Sequence, residues 1–87
     1  MAPTVATSPS RTVDAGTEQL DVSVQGGIAT VVLNNPSRRN ALSRAMVRAL
    51  PQVLDRLGAD PEVRVVVLRG AGGRAFAAGV DITDFSD

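Results

Sequence analysis

The sequence predicts an α/β fold built around a single strand–helix–strand unit. Three observations carry this. Leu20 to Gln25 alternates apolar and polar residues beside a Gly26-Gly27 pair. The stretch following Ser43 repeats apolar residues at helical spacing. Val63 to Leu68 is an almost unbroken apolar run that leads into glycines. A period of two marks a half-buried strand, a period near 3.6 an amphipathic helix, and a short apolar run a buried strand.

Taken in order, Met1 to about Gly16 is rich in Ala, Thr, Ser and Pro and has no period. It is expected to be a disordered leader, leaving 17–87 as the folded part. A transit peptide is the alternative, weakened by a single Arg and by Asp14. Leu20, Val22 and Val24 then share one face of a strand, with Asp21, Ser23 and Gln25 on the other. Gly26-Gly27 is a two-residue hairpin turn, and Ile28 to Leu33 is the return strand, rich in β-branched residues. Asn34-Asn35-Pro36-Ser37 ends it, because Pro36 has no N–H to donate.

Ser43 is the expected N-cap of the helix. Met46, Val47, Leu50, Val53, Leu54 and Leu57 form its apolar stripe, and Gly58 suits a left-handed C-cap. Pro51 lies inside and predicts a kink or a break. Val63 to Leu68 is then a buried strand, parallel to the return strand because a helix connects them. It would leave an open sheet edge, and one helix cannot cover both faces of a sheet. A core of this size is marginal, so the sequence reads as the first part of a larger domain.

The composition removes several chemistries. The 87 residues hold nine basic and nine acidic side chains, so no nucleic-acid partner is implied. Cysteine and histidine are absent. That excludes a Ser-His-Asp triad, a cysteine nucleophile and an ordinary zinc site within these residues, and proton transfer here would fall to Asp or Glu. No metal is expected. No apolar run approaches the roughly 18 residues of a membrane span, and the N-terminus lacks the pattern of a secretory signal. A cytoplasmic location is the default expectation.

The chemistry is expected in Gly70 to Phe85, GAGGRAFAAGVDITDF. Glycine and alanine let other atoms approach the main chain, so the segment can offer backbone N–H groups. A helix opening near Asp81–Asp84 would add its positive end. One reading of the glycines is a tight turn between strands. Another is the dinucleotide pattern Gly70-x-Gly72-x-x-Ala75, for which no amphipathic helix follows.

A third reading comes from several pieces in order. The hairpin is followed by N-P-x-x-x-N-A-L (Asn35 to Leu42), the helix, D-P-x-V-R-x-V-V-L (Asp60 to Leu68) and G-R-A-F-x-A-G-x-D-I (Gly73 to Ile82). Together, from about Leu20 to Phe85, they resemble the N-terminal part of the crotonase superfamily, the enoyl-CoA hydratase/isomerase family. The resemblance implies the ββα spiral fold of ClpP/crotonase-like proteins, here as hairpin, crossover helix, parallel strand and glycine-rich loop, truncated on its C-terminal side.

The resemblance also implies an acyl-CoA thioester as substrate, with coenzyme A as part of that substrate and no separate cofactor. In the family the residue after A-G gives a backbone N–H to the thioester oxygen; here that is Val80. Such a donor favours the enolate-like transition state over the substrate. Coenzyme A contacts would come from Ser37, Arg38, Arg39 and Ala41 and from Ala78, Asp81 and Ile82. Either arginine could pair with phosphate, or be a solvated loop residue. Asp81 would hold its loop or cap a turn. The family's second oxyanion donor and its acid/base carboxylates lie downstream of this segment. Hydration, double-bond isomerisation, dehalogenation and thioester hydrolysis therefore remain open, and the 87-residue chain alone is expected to be incomplete and inactive. Family members usually form homotrimers or hexamers. The alternatives are a truncated product without catalytic function and a module that docks on a full-length relative through its open edge.

Overall fold

Gly26 and Gly27 have φ values of 59° and 83°, the left-handed pair that a tight hairpin turn needs. Around them Leu20–Gln25 (β2) and Ile28–Leu33 (β3) pair antiparallel, from Gln25 opposite Ile28 to Leu20 opposite Leu33. Both strands have the expected bounds. The computed structural model describes residues 10–73 and 76. Its four-stranded sheet has the order β1-β2-β3-β4, with Arg11–Val13 as β1, antiparallel to β2, and Val65–Gly70 as β4, parallel to β3. Helix α1, Arg44–Ala59, connects β3 to β4.

The core lies between α1 and one face of β2 and β3. Leu20, Val22 and Val24 join Ala29, Val31 and Leu33 beneath Met46, Val53 and Leu57. Ser43 caps α1 as expected: its Oγ accepts from the Met46 N–H at 3.2 Å. The Ser43 hydroxyl also donates to Gln19 Oε1, tying the helix start to the turn before β2. The apolar stripe is wider than the buried face, since Val47 and Leu54 are exposed.

Four expectations are corrected. First, β1 lies inside the expected leader. Its Val13 packs against the core, and Arg11 pairs with Asp60 and Glu62. Three residues are too few to show a period, and these partners lie 49 and 51 positions away. The rest of the leader, residues 1–9, falls outside the described residues. Second, Gly58 is not the C-cap; α1 runs to Ala59 and ends at extended Asp60. A residue before proline disfavours the helical conformation, so Pro61 sets the stop, and Asp60 Oδ1 accepts from the Glu62 N–H at 2.9 Å.

Third, Pro51 sits within one continuous helix, so the expected break into two pieces does not occur. It deprives the Val47 carbonyl of its helical donor, but both residues are exposed, so water can take that place. Fourth, β4 is not buried. Val65 is 52% exposed and Leu68 is 37% exposed. Val66 and Leu68 pair with Ala29 and Val31 and so share α1's face, whereas Val65 and Val67 share the other. Among the described residues the helix covers β2 and β3, and β4 is left partly exposed on both faces. Among the described residues β4 stands at the edge of the sheet, as expected.

Candidate functional site

The site is built where the parallel pair ends. The last β3–β4 pairing is Leu33 with Gly70, and both strands then run into loops at their carboxyl ends, where open α/β sheets hold ligands. After β3, Pro36–Arg38 forms a single 3-10 turn. Proline fits there because its fixed φ suits the first position of a helix and its missing N–H is not needed. The turn closes by hydrogen bonds from Arg38 N–H to the Asn35 carbonyl at 3.0 Å and from Arg39 N–H to the Pro36 carbonyl at 3.1 Å.

Arg39 and Asn40 then have φ values of 55° and 60°. A left-handed residue with a side chain costs about 1–2 kcal/mol, less for Asn, which can bond locally. Asn40 does so: its N–H donates to the Asn35 carbonyl at 2.7 Å, and its Oδ1 accepts from the Asn35 N–H at 2.9 Å. Asn35 Nδ2 donates in turn to the Ala41 carbonyl at 2.9 Å. The loop is thus held by two asparagines.

On the other strand, Gly72 and Gly73 have φ values of 83° and 69°. A Cβ at Gly72 would lie 3.9 Å from Pro36 Cβ, so the two loops run close together. Asn40 Nδ2 donates to the Ala71 carbonyl at 3.0 Å and joins them.

Of the expected binding residues, Ser37, Arg38 and Arg39 lie together on the exposed crest of the first loop. Ala41 is only 8% exposed. Its N–H donates to the Arg38 carbonyl at 3.0 Å and its carbonyl accepts from Asn35, so its backbone serves the loop itself. Val80, Ala78, Asp81 and Ile82, and any helix near Asp81–Asp84, lie outside the described residues. Asn35 and Asn40 are the residues that the sequence reading missed. The preference of Asn for left-handed backbone, inside N-P-x-x-x-N-A-L, is the signal that could have found Asn40.

A concavity of about 580 Å³ lies at the opposite end of the sheet, lined by Arg11, Gly26, Gly27, Glu62 and Arg64 among others. It adjoins the start of β4, away from the carboxyl ends of the parallel pair. Among the described residues no group of three or more His, Cys, Asp or Glu could hold a metal, and no helix is long and apolar enough to cross a membrane.

Comparison with known proteins gives one consistent result. The profile of the enoyl-CoA hydratase/isomerase family matches residues 28–87. An enoyl-CoA hydratase of Mycobacterium tuberculosis is 44% identical over 71 residues, covering 82% of this chain and 26% of that protein. A hydroxycinnamoyl-CoA hydratase-lyase of Pseudomonas fluorescens is 44% identical over 64 residues, covering 74% of this chain and 23% of that protein. Among solved structures, an enoyl-CoA hydratase/carnithine racemase of Magnetospirillum magneticum superposes with a TM-score of 0.74 at 45% identity. It spans 79% of this chain, which covers 26% of it. The chain thus spans about a quarter of the length of the curated relatives it matches.

Proposed function

The chain belongs to the enoyl-CoA hydratase/isomerase family of the crotonase superfamily, as its N-terminal part, and from that premise we propose that it supplies one side of an acyl-CoA site. In this reading the Val80 backbone N–H donates to the thioester oxygen as enolate-like charge builds there. Ser37, Arg38, Arg39 and Ala41 hold coenzyme A from the first loop, and Ala78, Asp81 and Ile82 hold it from the second. Coenzyme A arrives as part of the substrate. No metal takes part.

The observation that carries this reading is the bond from Asn40 to the Ala71 carbonyl. It brings the loop with three exposed polar residues against the start of the glycine-rich loop, at the end of the sheet where ligands bind. Two arginines side by side there suit a polyphosphate, which guanidinium groups bind in bidentate fashion.

The reaction proposed is that of an enoyl-CoA hydratase or a related acyl-CoA isomerase. One oxyanion donor without acid/base carboxylates placed around it does not complete a catalytic site. The 87 residues alone are therefore expected to bind without turnover. A cytoplasmic homotrimer or hexamer is the setting proposed for the complete enzyme, with no nucleic-acid or membrane partner.

The test is to add a 2-enoyl-CoA to the purified chain and follow the thioester-conjugate absorbance, with coenzyme A binding measured calorimetrically alongside. Binding without loss of absorbance is the expected result. Turnover above a heat-killed control would overturn the assignment of acid/base chemistry to residues outside this chain, and absence of binding would overturn the acyl-CoA reading of these loops.

The bare faces of β4 favour a second reading, in which the chain docks by that edge on a full-length relative. Co-purification with such a relative, lost on adding a charge at Val67, would support it.

A further inference from the structure

Asn40 does more than its own turn requires. A left-handed φ of 60° is met by glycine at least as well. What asparagine adds is its amide, and the two ends of that amide serve different loops. Oδ1 accepts from Asn35 within the loop before α1, whereas Nδ2 reaches the Ala71 carbonyl, 31 positions further along the chain. The residue is 1% exposed, and both bonds are partly buried.

The β3–β4 ladder ends at Leu33 and Gly70. Beyond that pair the two loops are no longer held by strand pairing, and the Asn40 amide bridges the gap. Resting on the acyl-CoA reading above, we infer that Asn40 is a positioning residue that fixes the exit of the glycine-rich loop from β4 against Ser37, Arg38 and Arg39. The loop before α1 and the start of the glycine-rich loop at Ala71 are then held to each other. Asn40 touches no substrate in this account; it acts through Ala71.

Two variants of the whole chain separate this role from a purely local one. Asn40→Gly keeps the left-handed backbone and removes the amide. Asn40→Asp keeps an acceptor for the Asn35 N–H but sets a carboxylate oxygen against the Ala71 carbonyl, where no hydrogen bond forms. Both lose the donor to Ala71.

The readouts are the carbonyl carbon resonance of Ala71 by NMR and the affinity for coenzyme A, taken at a temperature where each form is folded. The Ala71 resonance is expected to move in both variants. Affinity is expected to fall about fivefold or more in both, the share of one hydrogen bond. If Asn40→Asp does not fold, the Ala71 resonance of Asn40→Gly decides, because its affinity also falls when only the contact to Asn35 matters.

An unmoved Ala71 resonance would overturn the inference. So would wild-type affinity in Asn40→Asp beside weakened affinity in Asn40→Gly, the pattern of a role confined to the Asn35–Asn40 pair. A moved resonance in both variants, with coenzyme A binding to none of the three forms, would uphold the bridge and instead overturn the acyl-CoA reading.

Discussion

Arg11, in the first strand, pairs with the carboxylate of Asp60, the residue that ends α1. The contact fastens β1 and the far end of the helix to each other, and Glu62 adds a second, longer contact to the same guanidinium at 3.4 Å. The Glu62 N–H, first, and the Arg11 guanidinium, second, hold the Asp60 carboxyl below its ordinary value.

That lowered value has a defined sign. The folded form binds the Asp60 proton less readily than the unfolded chain does. The stabilisation is therefore fully present above the unfolded carboxylate value and is lost as pH falls through the lowered folded one. Asp60→Asn keeps an oxygen for the Glu62 N–H and removes the charge. It should lower the melting temperature slightly at neutral pH, with the gap from wild type closing in acid. Melting curves across that range check it, and a gap that does not change with pH would contradict it.

Ser43→Ala removes the N-cap of α1 and the donor to Gln19 together. Loss of a serine cap costs about 0.5–2 kcal/mol, and the broken tie to Gln19 places this variant in the upper half of that range. Gln19→Ala keeps the cap and should cost less. Urea unfolding of the two variants measures both.

Val67→Lys distinguishes a bare β4 from a buried one. Because Val67 is 40% exposed, a lysine there should change the stability of this chain by less than about 0.5 kcal/mol. It should also reduce self-association, since a charge on an edge strand opposes strand-to-strand pairing. Sedimentation and thermal unfolding of the variant test both statements. Loss of folding would mean that this face is covered.

How much of this was legible in the sequence follows from how far each cause reaches along the chain. The alternation of Leu20, Val22 and Val24, the Gly26-Gly27 turn and the Ser43 cap are local, and the structure has them where the sequence puts them. Strand β1 was not legible, because Arg11 finds Asp60 and Glu62 only after the chain has folded back. The run from Val63 to Leu68 announces a strand but not what covers it, and α1 sits over its neighbours instead. Ser37, Arg38 and Arg39 were singled out through the family resemblance, and the structure has them exposed on one loop. Asn40 was not singled out, because its amide joins two segments that are distant in sequence.

The most direct test of the central claim is an NMR titration of the isotope-labelled chain with coenzyme A. The account predicts shifts at Ser37, Arg38 and Arg39 together with Ala78, Asp81 and Ile82, the two loops responding at one concentration. Absence of shifts at saturating ligand, or shifts confined to Arg11, Gly27 and Arg64 at the opposite end of the sheet, would contradict it.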